Sequence, residues 1–115
     1  MKKQGYICIA FDDGNKTDLT IGVQEQLNRG MIPKGTSYII GKYVAEWAEG
    51  SPKMNTNDCL EMLGYGWDLE DHSYSHSYDG NMTQMTTAEL NQELDLMDLQ
   101  HVQVKHHQLV LQEFF

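Results

Sequence analysis

The chain has 115 residues, 40% of them hydrophobic and 22% charged, with a formal net charge of −9. This composition is typical of a folded globular domain with one hydrophobic core. A closed α/β barrel usually needs about 250 residues, so the chain could form roughly half of one. Its eight Lys and Arg residues are scattered, and without a basic patch we expect no nucleic-acid partner.

The start of the chain does not resemble a secretion signal. Met1-Lys2-Lys3 precedes an apolar run at residues 6–11, which is too short for a signal peptide or a membrane span. We therefore expect no membrane partner, and a cytoplasmic location is the default, although location stays open. Cys8 and Cys59 are expected to be buried thiols without a chemical role.

The first third of the chain predicts a strand followed by a helix. Residues 6–11 form an apolar run rich in β-forming residues and bounded by polar residues at 12–14, which indicates a buried strand. Asp18 could cap the helix that follows, and Gly30 is placed to end it. Apolar residues recur at every fourth position between them, at Leu19, Val23 and Leu27.

The middle of the chain continues the alternation of strand and helix. Residues 36–40 predict a second strand, residues 55–63 a helix stopped by Gly64, and residues 67–71 a third strand, while residues 43–48 are ambiguous. Alternating strands and helices are typical of a parallel sheet. The predicted class is therefore α/β.

The last part of the chain contains a strong helix start. Thr86 and Glu89 form a capping-box pattern. The apolar face of this helix is predicted at Leu90, Leu94 and Met97. Residues 102–115 are also rich in apolar side chains, so we expect them to form a fourth strand or to pack against a partner.

Two acidic residues follow the first predicted strand. Asp12-Asp13-Gly14 lies where parallel sheets gather functional side chains, at the carboxyl end of the strand. Taken alone, the motif is also what an ordinary turn after a strand would contain.

Two histidines follow the third predicted strand. His72 and His76 are four residues apart, so one helical turn would bring both imidazoles to the same point, where they could bind zinc. The alternative is a pair of solvent-exposed loop histidines. The remaining histidines have no companion carboxylate and are assigned surface or packing roles: His101, His106 and His107.

The acidic motif and the histidine pair reinforce each other. Two histidines and one carboxylate make a three-ligand set that leaves one coordination position open, which is typical of catalytic zinc. The second carboxylate of Asp12-Asp13 could then accept a proton from water.

These motifs resemble those of a known family. Residues 7–14 resemble the first motif of the NodB-type polysaccharide deacetylases (carbohydrate esterase family 4), a strand that ends in Phe-Asp-Asp-Gly. Residues 66–76 resemble the second motif, which runs into His-Ser/Thr-x-x-His. Residues 30–40 and 85–90 resemble the segments that enter the second strand and follow the histidine motif. The resemblance covers roughly residues 5–105.

The resemblance implies a fold and a reaction. The fold would be a partial, truncated and distorted β/α barrel that forms one domain over residues 1–115. Asp12 would be the general base, and Asp13, His72 and His76 would bind a divalent metal, expected to be zinc. Metal-bound water would then remove N-acetyl groups from an amino-sugar polysaccharide or oligosaccharide.

The sequence also departs from the family pattern. The later motifs, including the histidine that serves as general acid, are not found in residues 102–115. The alternative is therefore a catalytically inactive metal- or carbohydrate-binding remnant that acts as an interaction module. Because a sheet stopped after about four strands exposes an edge, we also expect a homo-oligomer, with residues 109–115 as its contact.

Overall fold

The computed structural model describes residues 2–76 and 82–114; beyond residue 100, the only side chain described is that of Val104. Three parallel strands form its sheet in the order β1-β2-β3. Strand β1 is Ala10–Asp12, β2 is Thr36–Ile39 and β3 is Asp68–Asp71. The predicted α/β class and its parallel sheet are confirmed.

Helices connect and cover the strands. A π-helical segment, Asp18–Val23, continues directly into α1, and a 3₁₀ turn, Met82–Gln84, precedes the last helix. The α-helices are α1 (Gln24–Asn28), α2 (Gly41–Ala45), α3 (Thr56–Tyr65) and α4 (Thr87–Phe114). Within the described residues, no helix is both long enough and apolar enough to cross a membrane.

The core lies between the sheet and the helices. The central strand β2 contributes Ser37 and Ile39, which are fully buried, and the ring of Phe11 stacks on Trp67 with centroids 5.4 Å apart. Helices α2 and α3 both pack against α4. The buried apolar cluster comprises Leu19, Val23, Ile39, Val44, Met54, Cys59, Met62, Trp67, Leu69, Met97 and Val104.

The first strand is shorter and more exposed than predicted. It begins at Ala10, which pairs with Thr36, the first residue of β2. The residues before Ala10 therefore lie beyond the start of β2. Ile7 is 92% exposed, and Cys8 is exposed rather than buried. The prediction of a buried strand is therefore wrong for residues 6–9.

The first predicted helix is present but begins differently. Thr17 occupies the N-cap position and makes no side-chain capping bond, while Asp18 turns inward and accepts a hydrogen bond from Ser37. At the other end of the helix, Gln26 is buried and the predicted core residue Leu27 is partly exposed. The π-helical segment explains this change, because its wider turn shifts the buried face of the residues that follow.

Helix α3 extends past its predicted stop. Asn55 and Asp58 form a capping box at its start. Gly64 lies inside the helix, and Gly66 ends it in the left-handed conformation, with φ at 101°. The backbone N–H of Gly66 donates to carbonyl oxygens of the last turn, which is why the second glycine, and not the first, ends the helix.

Helix α4 confirms the predicted capping box of Thr86 and Glu89. It contradicts two other predictions. Residues 102–114 continue this helix, so the fourth strand predicted there is wrong. Leu94 is 52% exposed, whereas Met97 is 3% exposed. The inward face runs at alternating spacings of three and four residues through Leu90, Glu93, Met97, Gln100 and Val104.

Candidate metal centre

The predicted ligands lie at one edge of the sheet. Asp13 directly follows β1 and His72 directly follows β3, with β2 between them. Neighbouring strands are about 4.8 Å apart, so these residues start about 10 Å from each other. Their side chains can meet only above the carboxyl end of β2.

Gly14 allows the turn after β1 to pass close to β2. Asp13 and Gly14 both have positive φ angles, of 76° and 62°. A Cβ atom on Gly14 would lie 3.1 Å from Cγ2 and 3.3 Å from Cα of Ile39, tighter than ordinary packing. A residue without a side chain is therefore needed beside Asp13 for this approach.

The histidine loop, residues 72–76, has an unusual backbone. Ser73 and His76 have φ angles of 60° and 49°, in the left-handed region that costs non-glycine residues of the order of 1–3 kcal/mol each. The His72 N–H donates to the carbonyl of Ile39 at 2.9 Å, and the His76 N–H donates to Oγ of Ser73 at 3.1 Å. Ser73 therefore shapes the turn between the histidines.

Helix α2 holds the carbonyl groups of this loop. The N–H of Gly41 donates to the carbonyl of Ser73 at 3.2 Å, and the N–H of Lys42 donates to that of Tyr74 at 2.9 Å. A Cβ atom on Gly41 would lie 2.9 Å from the ring of Tyr74. The loop is thus packed tightly against the residues that follow β2.

Three candidate ligand atoms converge at this point. Oδ1 of Asp13 lies 3.1 Å from Nε2 of His72 and 3.3 Å from Nε2 of His76. One ligand atom from each residue can be chosen so that all lie within 4.8 Å of one another. All three side chains are between a quarter and about a third exposed, which leaves the centre open to solvent.

The donor set fits a divalent metal such as zinc. Tetrahedral zinc with bonds of about 2.0–2.1 Å places its ligand atoms about 3.3 Å apart, close to both Asp13–histidine distances. The same distances would also allow a protonated histidine to donate a hydrogen bond to Asp13. Metal and proton would therefore compete for the same nitrogen atoms.

Asp12, the predicted general base, lies next to this group. It is the last residue of β1 and its side chain is exposed. It is not among the three residues whose ligand atoms converge. The side chains of His101, His106 and His107 lie outside the part of the structure that is described.

Sequence reasoning missed Glu93, which contacts the histidine loop from α4. Its Oε2 accepts hydrogen bonds from the N–H groups of Tyr74, at 3.1 Å, and Ser75, at 3.0 Å. Burial by itself would raise the pKa of Glu93, but hydrogen bonds from the Ser75 side chain and from both N–H groups outweigh it and lower the pKa. The available signal was its spacing from Leu90 and Met97, which places it on the inward face.

A parallel sheet with Asp13, His72 and His76 close together at its carboxyl edge agrees with the partial NodB-type barrel expected from the sequence. The sequence of residues 1–106 matches the family model described as polysaccharide deacetylase, so the chain belongs to the polysaccharide deacetylase family. No curated protein matches the chain at a significant level.

Solved structures share this fold. A family 4 carbohydrate esterase from Streptomyces lividans, in complex with acetate, matches with a TM-score of 0.67 and 22% identity over 88% of this chain and 46% of its own. The peptidoglycan deacetylase PdaC from Bacillus subtilis matches with a TM-score of 0.62 and 18% identity, over 84% of this chain and 42% of its own. A mutant of BA3943, described as a CE4 family pseudoenzyme with restored enzymatic activity, matches with a TM-score of 0.64 and 17% identity. The match covers 84% of this chain and 31% of its own. The chain thus spans less than half the length of each.

Proposed function

We propose that this chain carries the metal-binding half of a hydrolase site that removes N-acetyl groups from an amino-sugar polymer. The observation that carries the proposal is the approach of Asp13 Oδ1 to both His72 Nε2 and His76 Nε2, at 3.1 and 3.3 Å, in a member of a deacetylase family. Three ligands of these types leave a position open for water or substrate.

Each residue of the site has a separate task in this proposal. Asp13, His72 and His76 hold the metal, for which zinc is the expected ion. When bound, such an ion supplies a Lewis acid that activates water and polarises the amide carbonyl. Asp12, exposed and adjacent to Asp13, would accept the proton of the attacking water. Protonation of the leaving nitrogen would need a general acid, the role that the family resemblance gives to a histidine of the later motifs.

The substrate class follows from the family and its neighbours. One neighbour is a peptidoglycan deacetylase, and another was solved with acetate, which is the product of deacetylation. Amide hydrolysis of an N-acetylated sugar releases acetate and leaves a free amine. We therefore propose an N-acetylated polysaccharide or oligosaccharide as the substrate.

Acetate release tests the proposal. The protein loaded with zinc is incubated with N-acetylglucosamine oligomers, and free acetate is measured for the wild type and for Asp12→Asn. The proposal expects turnover by the wild type and a loss of about 100-fold or more in the variant, with metal still bound. Equal turnover in both proteins would remove Asp12 from the mechanism.

The second candidate is an inactive member of the family that keeps its metal centre. Metal binding without any acetate release would support this candidate. Binding of the same oligomers, measured by calorimetry, would then separate a carbohydrate-binding module from a centre that binds metal alone.

We also propose that the chain forms a homo-oligomer. The described part of the sheet ends at β1 on one side, and the apolar residues Tyr6, Ile7 and Ile32 are strongly exposed. The contact predicted at residues 109–115 involves side chains that the structure does not describe. Light scattering over a tenfold range of concentration should give a mass above that of one chain, and a constant monomer mass would contradict the proposal.

A further inference from the structure

We infer that Glu93 is a positioning residue of the metal centre, which fixes the histidine loop so that His72 and His76 face Asp13. This inference rests on the proposed metal site and adds a residue to it from α4. Glu93 is half-buried on the inward face of that helix, between Leu90 and Met97.

The backbone of the histidine loop is hydrogen-bonded to two neighbouring elements, α2 and α4. Glu93 accepts the N–H groups of Tyr74 and Ser75, and Ser73 Oγ accepts that of His76. The N–H groups of the first two residues of α2 donate hydrogen bonds to the carbonyl oxygens of Ser73 and Tyr74. The loop is therefore held from two sides. Helix α2 binds the carbonyl groups of the loop, and Glu93 binds its amide N–H groups.

These hydrogen bonds maintain an unfavourable backbone conformation in the loop. Ser73 and His76 both have left-handed φ angles, which non-glycine residues keep only when surrounding contacts impose them. Tyr74 and Ser75, whose amides Glu93 accepts, lie between them. Loss of this acceptor would let the two residues relax, and His76 would move relative to His72.

The carboxylate of Glu93 lies in a half-buried position. A polar group that loses exposure to water is destabilising unless it is hydrogen-bonded, and an apolar residue would suit a position between Leu90 and Met97 better. A single carboxylate oxygen that accepts two successive amides compensates for this cost. Glu93 is not among the residues whose ligand atoms converge at the centre, and its Oε2 is engaged by the loop.

The test measures Co²⁺ affinity through the visible absorption bands of the bound ion, which also report its coordination geometry. The variants are Glu93→Ala and Glu93→Gln. The matched control is Glu89→Ala, which removes a carboxylate from the same helix, one turn earlier, where it caps the helix by accepting the N–H of Thr86. Amide hydrogen exchange at Tyr74 and Ser75 is measured on the metal-free proteins.

Residues that orient metal ligands without binding the metal themselves typically contribute about 10- to 100-fold to metal affinity. Glu93→Ala should therefore bind Co²⁺ about 10- to 100-fold more weakly than the wild type. Its bands should change, and the two amides should exchange faster. Glu93→Gln keeps an oxygen acceptor and should recover much of the affinity. Glu89→Ala should match the wild type in both affinity and exchange at these amides.

Two contrary results have different meanings. If the wild type binds Co²⁺ and both Glu93 variants bind it equally tightly with the same bands, Glu93 does not position the loop, and the proposed metal centre stands. If the wild type takes up no Co²⁺, the metal centre and this inference both fail. Should Glu93→Ala not fold, Glu93→Leu replaces it, because it removes the acceptor and suits the apolar position between Leu90 and Met97. Weaker Co²⁺ binding by Glu93→Leu would support the inference, and wild-type affinity would overturn it.

Discussion

The hydroxyl of Ser37 donates a hydrogen bond of 2.9 Å to Oδ2 of Asp18, and both side chains are buried. The bond joins the central strand β2 to the π-helical segment. Burial raises the pKa of Asp18 above its usual 3.8, and the charge of Asp13 adds to the increase. The Ser37 hydrogen bond and the charge of Lys53 act in the opposite direction without cancelling it.

The raised pKa of Asp18 predicts a pH-dependent cost to stability. A carboxyl whose folded pKa lies above its unfolded value of 3.8 contributes stability that is complete below that value and is lost as the pH rises through the folded pKa. Asp18→Asn keeps an oxygen acceptor for Ser37 and carries no charge. We expect the variant to unfold at higher urea concentration than the wild type at about pH 7, with the difference shrinking towards about pH 3.

The exposed Asp95, on α4, provides the control for this experiment. Asp95→Asn removes the same charge from a solvated position and should leave the pH dependence of the wild type unchanged. Identical pH profiles for Asp18→Asn and the wild type would show that burial of Asp18 does not affect stability.

The end of α3 predicts opposite effects for two neighbouring glycines. Gly64 lies inside the helix with open space around it, so Gly64→Ala should stabilise the protein by about 0.4–1 kcal/mol. Gly66 has a φ angle of 101°, so Gly66→Ala should destabilise it by about 1–2 kcal/mol or more. Urea unfolding of both variants measures this, and effects of the same sign would contradict the observed helix end.

The two cysteines should differ sharply in reactivity. Cys8 is exposed, while Cys59 is buried. Burial, and secondly the negative charge of Asp58, raise the pKa of Cys59 to about 12. A disulfide reagent at neutral pH should therefore modify Cys8 rapidly and Cys59 only after denaturant is added. In Cys8→Ser the fast reaction should disappear; its persistence would mean that Cys59 is accessible.

The sequence predicted the order of elements well and their exact packing less well. Strong local signals located the strands and the capping box of α4, because β-forming runs and caps depend on near neighbours in the chain. The exposure of residues 6–8 depends on where β2 begins, which no local pattern encodes. The spacing of Leu90, Leu94 and Met97 fitted one face of α4, yet packing against α2 and α3 left Leu94 exposed. Glu93 takes its place on the inward face.

The residues of the candidate site could likewise be predicted only in part. Asp13, His72 and His76 stand in short motifs at strand ends, so their convergence could be anticipated from sequence order and parallel topology. The spacing of Glu93 from Leu90 and Met97 could indicate its inward face but not its role, because its partners are backbone amides 19 and 18 residues away in the sequence. The close approach of Gly14 to Ile39 was likewise visible only in the structure.

The claim that Asp13, His72 and His76 form a metal centre is tested most directly by metal content. Elemental analysis is made on purified wild-type protein after zinc is supplied, and on Asp13→Ala, His76→Ala and the control Asp68→Ala, an exposed carboxylate at the opposite end of β3. We predict about one zinc per chain in the wild type and the control, and its loss in the other two variants. A wild type without zinc, or zinc retained in all variants, would contradict the proposed centre.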